Sequence, residues 1–415
     1  MQSKQNHGPV YRYRVFLLGL LVFGSWGSLG AATFDVTRFD DPVPDECALG
    51  DCSLREAVIA ANENSEADMI MLPAGIYNLS QPTSGGDDPE GGSLDITADV
   101  TVQGAGARET IVDGGGLDRV FDVYATAGFV YLNDLTARNG VRATGSGGGI
   151  LNRGTILTIS RCTVTGNSAP VDAGGLLLAG TTYLFDSTLS GNIAVGDGGG
   201  LRVVGKVTIV NSTISSNSAG GGGGGIHSDN TFGIGVHLSN TTISGNIADA
   251  DDNGVGEGGG IWADHTYIEL SHTIIADNQD LGGESPDCTE TSSGSFGSLG
   301  FNLVGDTTGC PFSGDPTGNL LDIDPLLGSL ANNGGPTDTY ALDKLSPAID
   351  AGDPGGCTDR NGVPLTSDQR GYPRPLDGDG DTLAVCDLGA VESGASVFAD
   401  GFESGDTSAW SSSVQ

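Results

Sequence analysis

The chain has 415 residues, of which 70 are glycine, and no G-X-Y period, so it is not collagen-like. Acidic residues outnumber basic ones 53 to 17, for a net charge of −36. That balance excludes nucleic-acid binding by bulk electrostatics and favours cations or basic surfaces as partners. A hydrophobic fraction of 37% is low but sufficient for a thin core.

Residues 1–32 read as a secretory signal peptide. Lys4, Arg12 and Arg14 form a positive leader, Val15 to Gly30 is apolar, and Gly30-Ala31-Ala32 is a small-residue cleavage site. The alternative is a membrane anchor, for which 16 residues with four glycines is short. No later stretch is apolar enough to span a membrane, so no span is expected in the mature chain.

Residues 33–66 are expected to form an N-terminal cap. Ser53-Leu54-Arg55-Glu56 is a capping box. It opens a helix with Leu54, Ala57, Val58 and Ala61 on one face, suited to plug the end of a solenoid. Residues 69–79 and 94–116 then read as first, less regular coils, with a polar loop from Gln81 to Gly92.

Between 139 and 278 the sequence repeats. Five segments end in Asn167, Asn192, Asn217, Asn246 and Asn278, separated by 25, 25, 29 and 32 residues. A glycine run followed by an aliphatic recurs in step, at 147–150, 174–176, 198–201, 223–226 and 258–261. Counting back from each asparagine, the residues at −3, −8 and −10 are almost all aliphatic, and those at −5 are Ser or Thr except for Cys162. The pairs −3/−5 and −10/−8 each alternate as strands do, and the phase slips between −8 and −5, which marks a bend.

Two short strands, plus a third at the glycine landmark, in about 25 residues make one coil of a parallel β-helix, expected over 67–280. The fold class is therefore all-β with a short N-terminal capping helix. Stacked coils put like residues in ladders, so Asn167, Asn192, Asn217, Asn246 and Asn278 are expected to bond amide to amide along the axis. The insertion at 249–258 should be a loop on one side.

The chain has seven cysteines. In an exported protein pairing is the default, and sequence neighbours suggest Cys47–Cys52, Cys288–Cys310 and Cys357–Cys386. Cys162 is left as a small buried residue in the Ser/Thr column. Irregular spacings and few histidines argue against zinc.

Residues 281–395 hold C-terminal coils and proline-rich turns, and 396–415 form a polar tail. Asp377-Gly378-Asp379-Gly380-Asp381 places carboxylates at alternate positions of a glycine-rich loop, with Asp387 beyond, which is how calcium is gripped. A solvated acidic turn is the alternative. Catalytic residues are not identified. Asp249, Asp251, Asp252, Glu257, Asp277 and Asp280 are carboxylate candidates, but Arg161, Arg202 and Lys206 are the only basic residues between 154 and 343. The histidines at 227, 237, 265 and 272 share no column of the repeat.

Residues 52–57, Cys-Ser-Leu-Arg-Glu-Ala, match the bacterial CSLREA domain letter for letter. Residues 332–353 with 386–392 resemble the choice-of-anchor Q domain. The stretch 401–412 is similar to a C-terminal motif of exported Gram-negative proteins, and the repeats resemble those of polymorphic outer-membrane adhesins. These resemblances imply a right-handed, pectin-lyase-like parallel β-helix that is secreted or displayed at the outer membrane of a Gram-negative bacterium. The function they imply is adhesion, or binding of an extracellular glycan or surface protein, by a monomer. The alternatives are a polysaccharide lyase or glycoside hydrolase, and a structural spacer; the Gly-His-Gly and Arg-Ile-Lys of polygalacturonases are absent.

Overall fold

A computed structural model describes residues 30–83, 90–230, 234–283, 285–291 and 293–394. Most of the expected signal peptide, and the whole of the tail at 396–415, lie outside the described residues. The chain forms a right-handed parallel β-helix with all-parallel sheets of eleven, ten, eight and five strands. Each strand pairs with its equivalent one coil along. Leu157, Thr182, Val207, Val236 and Ile268 are thus successive partners in the eleven-stranded sheet. Val164, Leu189, Ile214, Ile243 and Ile275 are partners in the ten-stranded sheet. All ten point inward and are buried.

The repeated coils hold four strands rather than three. A two-residue strand follows each asparagine, at Ser168–Ala169, Ile193–Ala194, Ser218–Ala219, Ile247–Ala248 and Gln279–Asp280. Two residues are too few to display an alternation, so periodicity does not reveal it.

The bend between −8 and −5 is a left-handed residue at −6. Arg161, Asp186, Asn211, Asn240 and His272 have φ of 52°, 50°, 46°, 49° and 50°. One such residue turns the chain between two strands and shifts the inward phase by one. The glycine run has a different cause. A Cβ on Gly200 would lie 2.6 Å from the Gly225 carbonyl oxygen and 2.9 Å from Asn217 Nδ2. The asparagine stack leaves room only for bare backbone beside it, which is why the two landmarks recur together.

At the N-terminal end, Thr33–Asp35 adds the first strand of the eleven-stranded sheet, against Asp68–Leu72. The helix Leu54–Asn62 begins in the expected capping box, Ser53 and Glu56 bonding reciprocally, and buries Leu54, Ala57, Val58 and Ala61. Arg55 is buried too. It pairs with Asp41 at 2.8 and 3.0 Å and donates to the carbonyls of Gly92 and Ser93, so its charge is fully partnered.

The coils continue to Phe312–Asp315 and Leu320–Leu321. The chain then turns back along the outside of the ten-stranded sheet, beginning with the hairpin Leu327–Ala331 and Thr339–Leu342. This return segment, 325–394, roofs that sheet. Thr213, Ser215, Thr242 and Ser244 point outward yet are buried, whereas Thr163 and Thr165, two coils earlier, are only half-buried. Ser215 bonds Tyr340 at 2.6 Å, Thr213 donates to Gln369 at 2.7 Å, and the Ala390 N–H donates to Thr242 at 3.0 Å. The corner residues form the rail for docking. Buried Arg374 donates to Asn211 at 3.0 Å and Asn240 at 3.1 Å, and pairs with Glu392 at 2.6 Å. No helix among the described residues is long and apolar enough to cross a membrane.

Candidate functional site

The asparagines form a continuous stack. Asn167, Asn192, Asn217 and Asn246 each donate from Nδ2 to Oδ1 of the next asparagine at 2.9 Å. Each Oδ1 from Asn192 onward also takes the preceding asparagine's backbone N–H at 3.0–3.1 Å. The last rung is not an asparagine. Asn278 donates from Nδ2 to Asp287 Oδ1 at 2.9 Å, and Asp287 Oδ2 accepts from the Asp306 N–H at 2.7 Å. Burial pushes the Asp287 carboxyl up to about 6. This residue follows Asn278 by only nine positions, so the repeat spacing does not point to it.

The bonded cysteine pairs are Cys47–Cys52, Cys288–Cys310 and Cys357–Cys386. Cys162 is free and buried, with Sγ 3.3 Å from the Leu132 and Ser160 carbonyl oxygens. Burial pushes its thiol up to about 12, so it holds its proton and is inert.

The acidic loop differs from the expected ligand set. Carboxylate oxygens of Asp350, Asp377 and Asp379 lie within 4.8 Å of one another, so these three can face one metal ion. Asp381 and Asp387 do not join them. Exposed Asp381 turns away to accept from the Leu383 N–H at 2.7 Å. The loop wraps around Asp377, which accepts from Gly380 N–H at 2.6 Å and Thr382 N–H at 3.0 Å. Asp387 is buried behind the group and accepts from the Asp350 N–H at 2.7 Å. Burial, and then the charge of Glu392, push its carboxyl up to about 7. Asp387 therefore positions Asp350 rather than meeting an ion. Asp350 Oδ2 accepts from the Gly378 and Asp379 N–H groups at 2.9 and 2.8 Å, while its Oδ1 has no hydrogen-bond partner among the described residues. The Cys357–Cys386 bridge and a 2.7 Å bond from the Gly352 N–H to the Cys386 carbonyl hold the two stretches together.

Three of the carboxylate candidates for catalysis serve the loops. Asp249 accepts from Asn253 and Gly254 N–H at 2.9 and 3.0 Å, and Asp280 from Gly282 and Ser285 N–H at 3.0 and 3.1 Å. Glu257 accepts from Thr289 at 2.8 Å. Arg161 pairs with Asp134 at 2.6 Å, and Arg202 lies between Asp172 and Asp229. The histidines lie apart: His227 against Trp262, His237 beside Glu269, His265 exposed, and His272 at the corner stacked on Phe301.

One outer face stays open. On the eleven-stranded sheet, Thr101, Tyr131, Thr158, Tyr183, Thr208 and His237 occupy successive rungs of one outward column. Tyr131 is 40% exposed, Tyr183 36% and Phe129, beside Tyr131, 49%. Tyr183 and Phe185 lie side by side on one strand, ring centroids 6.1 Å apart and planes within 10°. Next to Phe185, the sheet edge and the return segment enclose a cleft of about 400 Å³ lined by Ser160, Asp186 and residues 364–367. Burial pushes the Asp186 carboxyl up to about 6. Arg360 of the return segment closes the column at His237.

No family model matches this sequence, and no curated protein matches it. The CSLREA and choice-of-anchor Q likenesses therefore rest on their motifs.

Proposed function

We propose that the protein is an exported β-helix of the bacterial cell surface that binds an extracellular glycan or a surface protein along its flank, without catalysing a reaction. The observation that carries this reading is the contrast between two faces of the solenoid. The ten-stranded sheet is roofed by the chain's own return segment, while the eleven-stranded sheet presents Phe129, Tyr131 and Tyr183 to solvent. Exposed aromatic rings on a rigid surface are interaction groups rather than core. Three disulfides suit an extracellular chain, as do the leader-like N-terminus and the CSLREA and choice-of-anchor Q resemblances.

Asp350, Asp377 and Asp379 would hold calcium. All three offer hard oxygen ligands, and one oxygen of Asp350 is left without a partner among the described residues. Calcium there would bind the return segment's acidic loop together and act as a structural ion.

The test is a glycan and polysaccharide array read twice, for retention and for chain cleavage, alongside capture on intact cells stripped of surface protein. Retention without cleavage is the expected result. Cleavage would replace this reading with that of a lyase or hydrolase. Loss of cell capture on stripping, with no retention on the array, would make the partner a protein.

A further inference from the structure

Resting on the binding reading above, we infer that the outward column of the eleven-stranded sheet is a stacking site for a neutral, extended, β-1,4-linked polysaccharide lying along the solenoid axis. The column alternates ring and hydroxyl. Tyr131 and Tyr183 stand two rungs apart, with Thr158 between them and Thr101 and Thr208 outside. Rungs of a parallel sheet are spaced by the strand separation, so the two rings repeat at about 9.6 Å.

A β-1,4-linked chain in its extended form turns each sugar over relative to the last. The same face of the pyranose ring therefore recurs every second sugar, at a distance close to two rungs. A sugar's apolar face stacks on an aromatic ring, and the intervening sugar presents hydroxyls to the intervening threonine. Each ring has an aromatic neighbour on its strand: Phe129 lies beside Tyr131, and the Phe185 ring runs within 10° of parallel to Tyr183. An α-1,4-linked chain coils and does not keep this spacing.

Charge selects among extended glycans. The chain carries −36, so a polyuronate is repelled at long range and a neutral polymer is not. A protein strand finds no purchase here, because the strands carrying the rings are paired on both sides. The column is closed at one end, where Arg360 covers His237, and continues at the other through Met69, which is 41% exposed.

The experiment is titration calorimetry of the exported protein with cellohexaose, mannohexaose, chitohexaose, maltohexaose and a polygalacturonate hexamer. At least one of the first three should bind, and the last two should not. Tyr183→Ala and Tyr131→Ala should each weaken binding about tenfold, and Tyr183→Phe should weaken it little. The spacing is tested by the double variant Tyr131→Thr with Thr158→Tyr, which keeps two rings but sets them one rung apart. It should bind as weakly as a single-ring variant. Unchanged binding in that double variant, or equal binding of maltohexaose, overturns the inference. So does retention of glycans on the array that is indifferent to Tyr131 and Tyr183, which would leave the general binding reading standing. An array that retains no glycan removes glycan binding altogether.

Discussion

The asparagine stack makes a quantitative demand on stability. Asn217 is wholly buried, and its amide makes four bonds. Oδ1 accepts from the backbone N–H and Nδ2 of Asn192 at 3.0 and 2.9 Å, and Nδ2 donates to Asn246 Oδ1 at 2.9 Å and the Leu189 carbonyl at 3.1 Å. In Asn217→Ala, Asn192 Nδ2 keeps the Val164 carbonyl, and Asn246 Oδ1 keeps the backbone N–H of residue 217. The Asn192 N–H keeps nothing. A buried, unpaired N–H costs about 1–3 kcal/mol, and the other lost bonds and the small void bring the expected loss to about 3–5 kcal/mol. Asn217→Asp should be worse at neutral pH, because it sets a carboxylate oxygen against two acceptors, and should recover partly in acid as the group takes a proton. Urea unfolding followed by circular dichroism gives the loss. Hydrogen exchange at the Asn192 amide locates it, since protection there should collapse while that at distant rungs persists. A loss below about 1 kcal/mol in Asn217→Ala would refute the account of the stack as a set of obligatory bonds. Equal stability of Asn217→Asp in acid and at neutral pH would refute it as well.

Calcium at a hundredfold above its dissociation constant should stabilise the chain by about 2.7 kcal/mol. Asp350→Asn and Asp379→Asn should abolish that gain, whereas Asp381→Asn should keep it. A melt insensitive to chelator, or one in which Asp381→Asn alone loses the gain, would show that the ion is not held as the geometry requires. His272 should make stability depend on pH: its Nε2 accepts from the Asp353 N–H at 3.1 Å, and burial pushes its pKa down to about 4, with Arg374 adding to the effect. Its folded value lies below its unfolded one, so the stability it contributes is present above about pH 6.5 and lost as pH falls towards 4, by about 3 kcal/mol in all. Asp387, raised to about 7, works in the opposite sense: its contribution is present below about pH 4 and lost as pH rises through 7. The difference in stability between wild type and His272→Gln isolates the histidine. That difference should shrink as the pH is taken from neutral towards about 4.5, and a constant difference would mean that the imidazole does not titrate against the return segment.

What the sequence makes legible is what the solenoid repeats. A buried column must keep its chemistry at every coil, so the aliphatic positions, the asparagines and the glycine run are written five times over and their partners follow from arithmetic. Even the corner at −6 shows itself as a slip in phase. Features that occur once have no such redundancy. Asp287 takes an asparagine's place in the stack but stands at the glycine position of the next coil, as the equivalent of Gly260, so the asparagine spacing does not reach it. Asp350 reaches the acidic loop across 27 residues of chain, by way of a return segment whose course depends on Arg374, Asn211 and Asn240. Asp381 and Asp387 have the right type and spacing for ligands, but one is spent on a turn and the other on holding Asp350. The outward column is an intermediate case. It sits at −9, between the two inward columns at −10 and −8, so its position was available from the repeat. Its residues vary from coil to coil because no packing constraint fixes them. Tyr and Thr both suit an exposed strand, so it is the two-rung separation of Tyr131 and Tyr183, rather than their residue type, that the variant with rings one rung apart puts to the test.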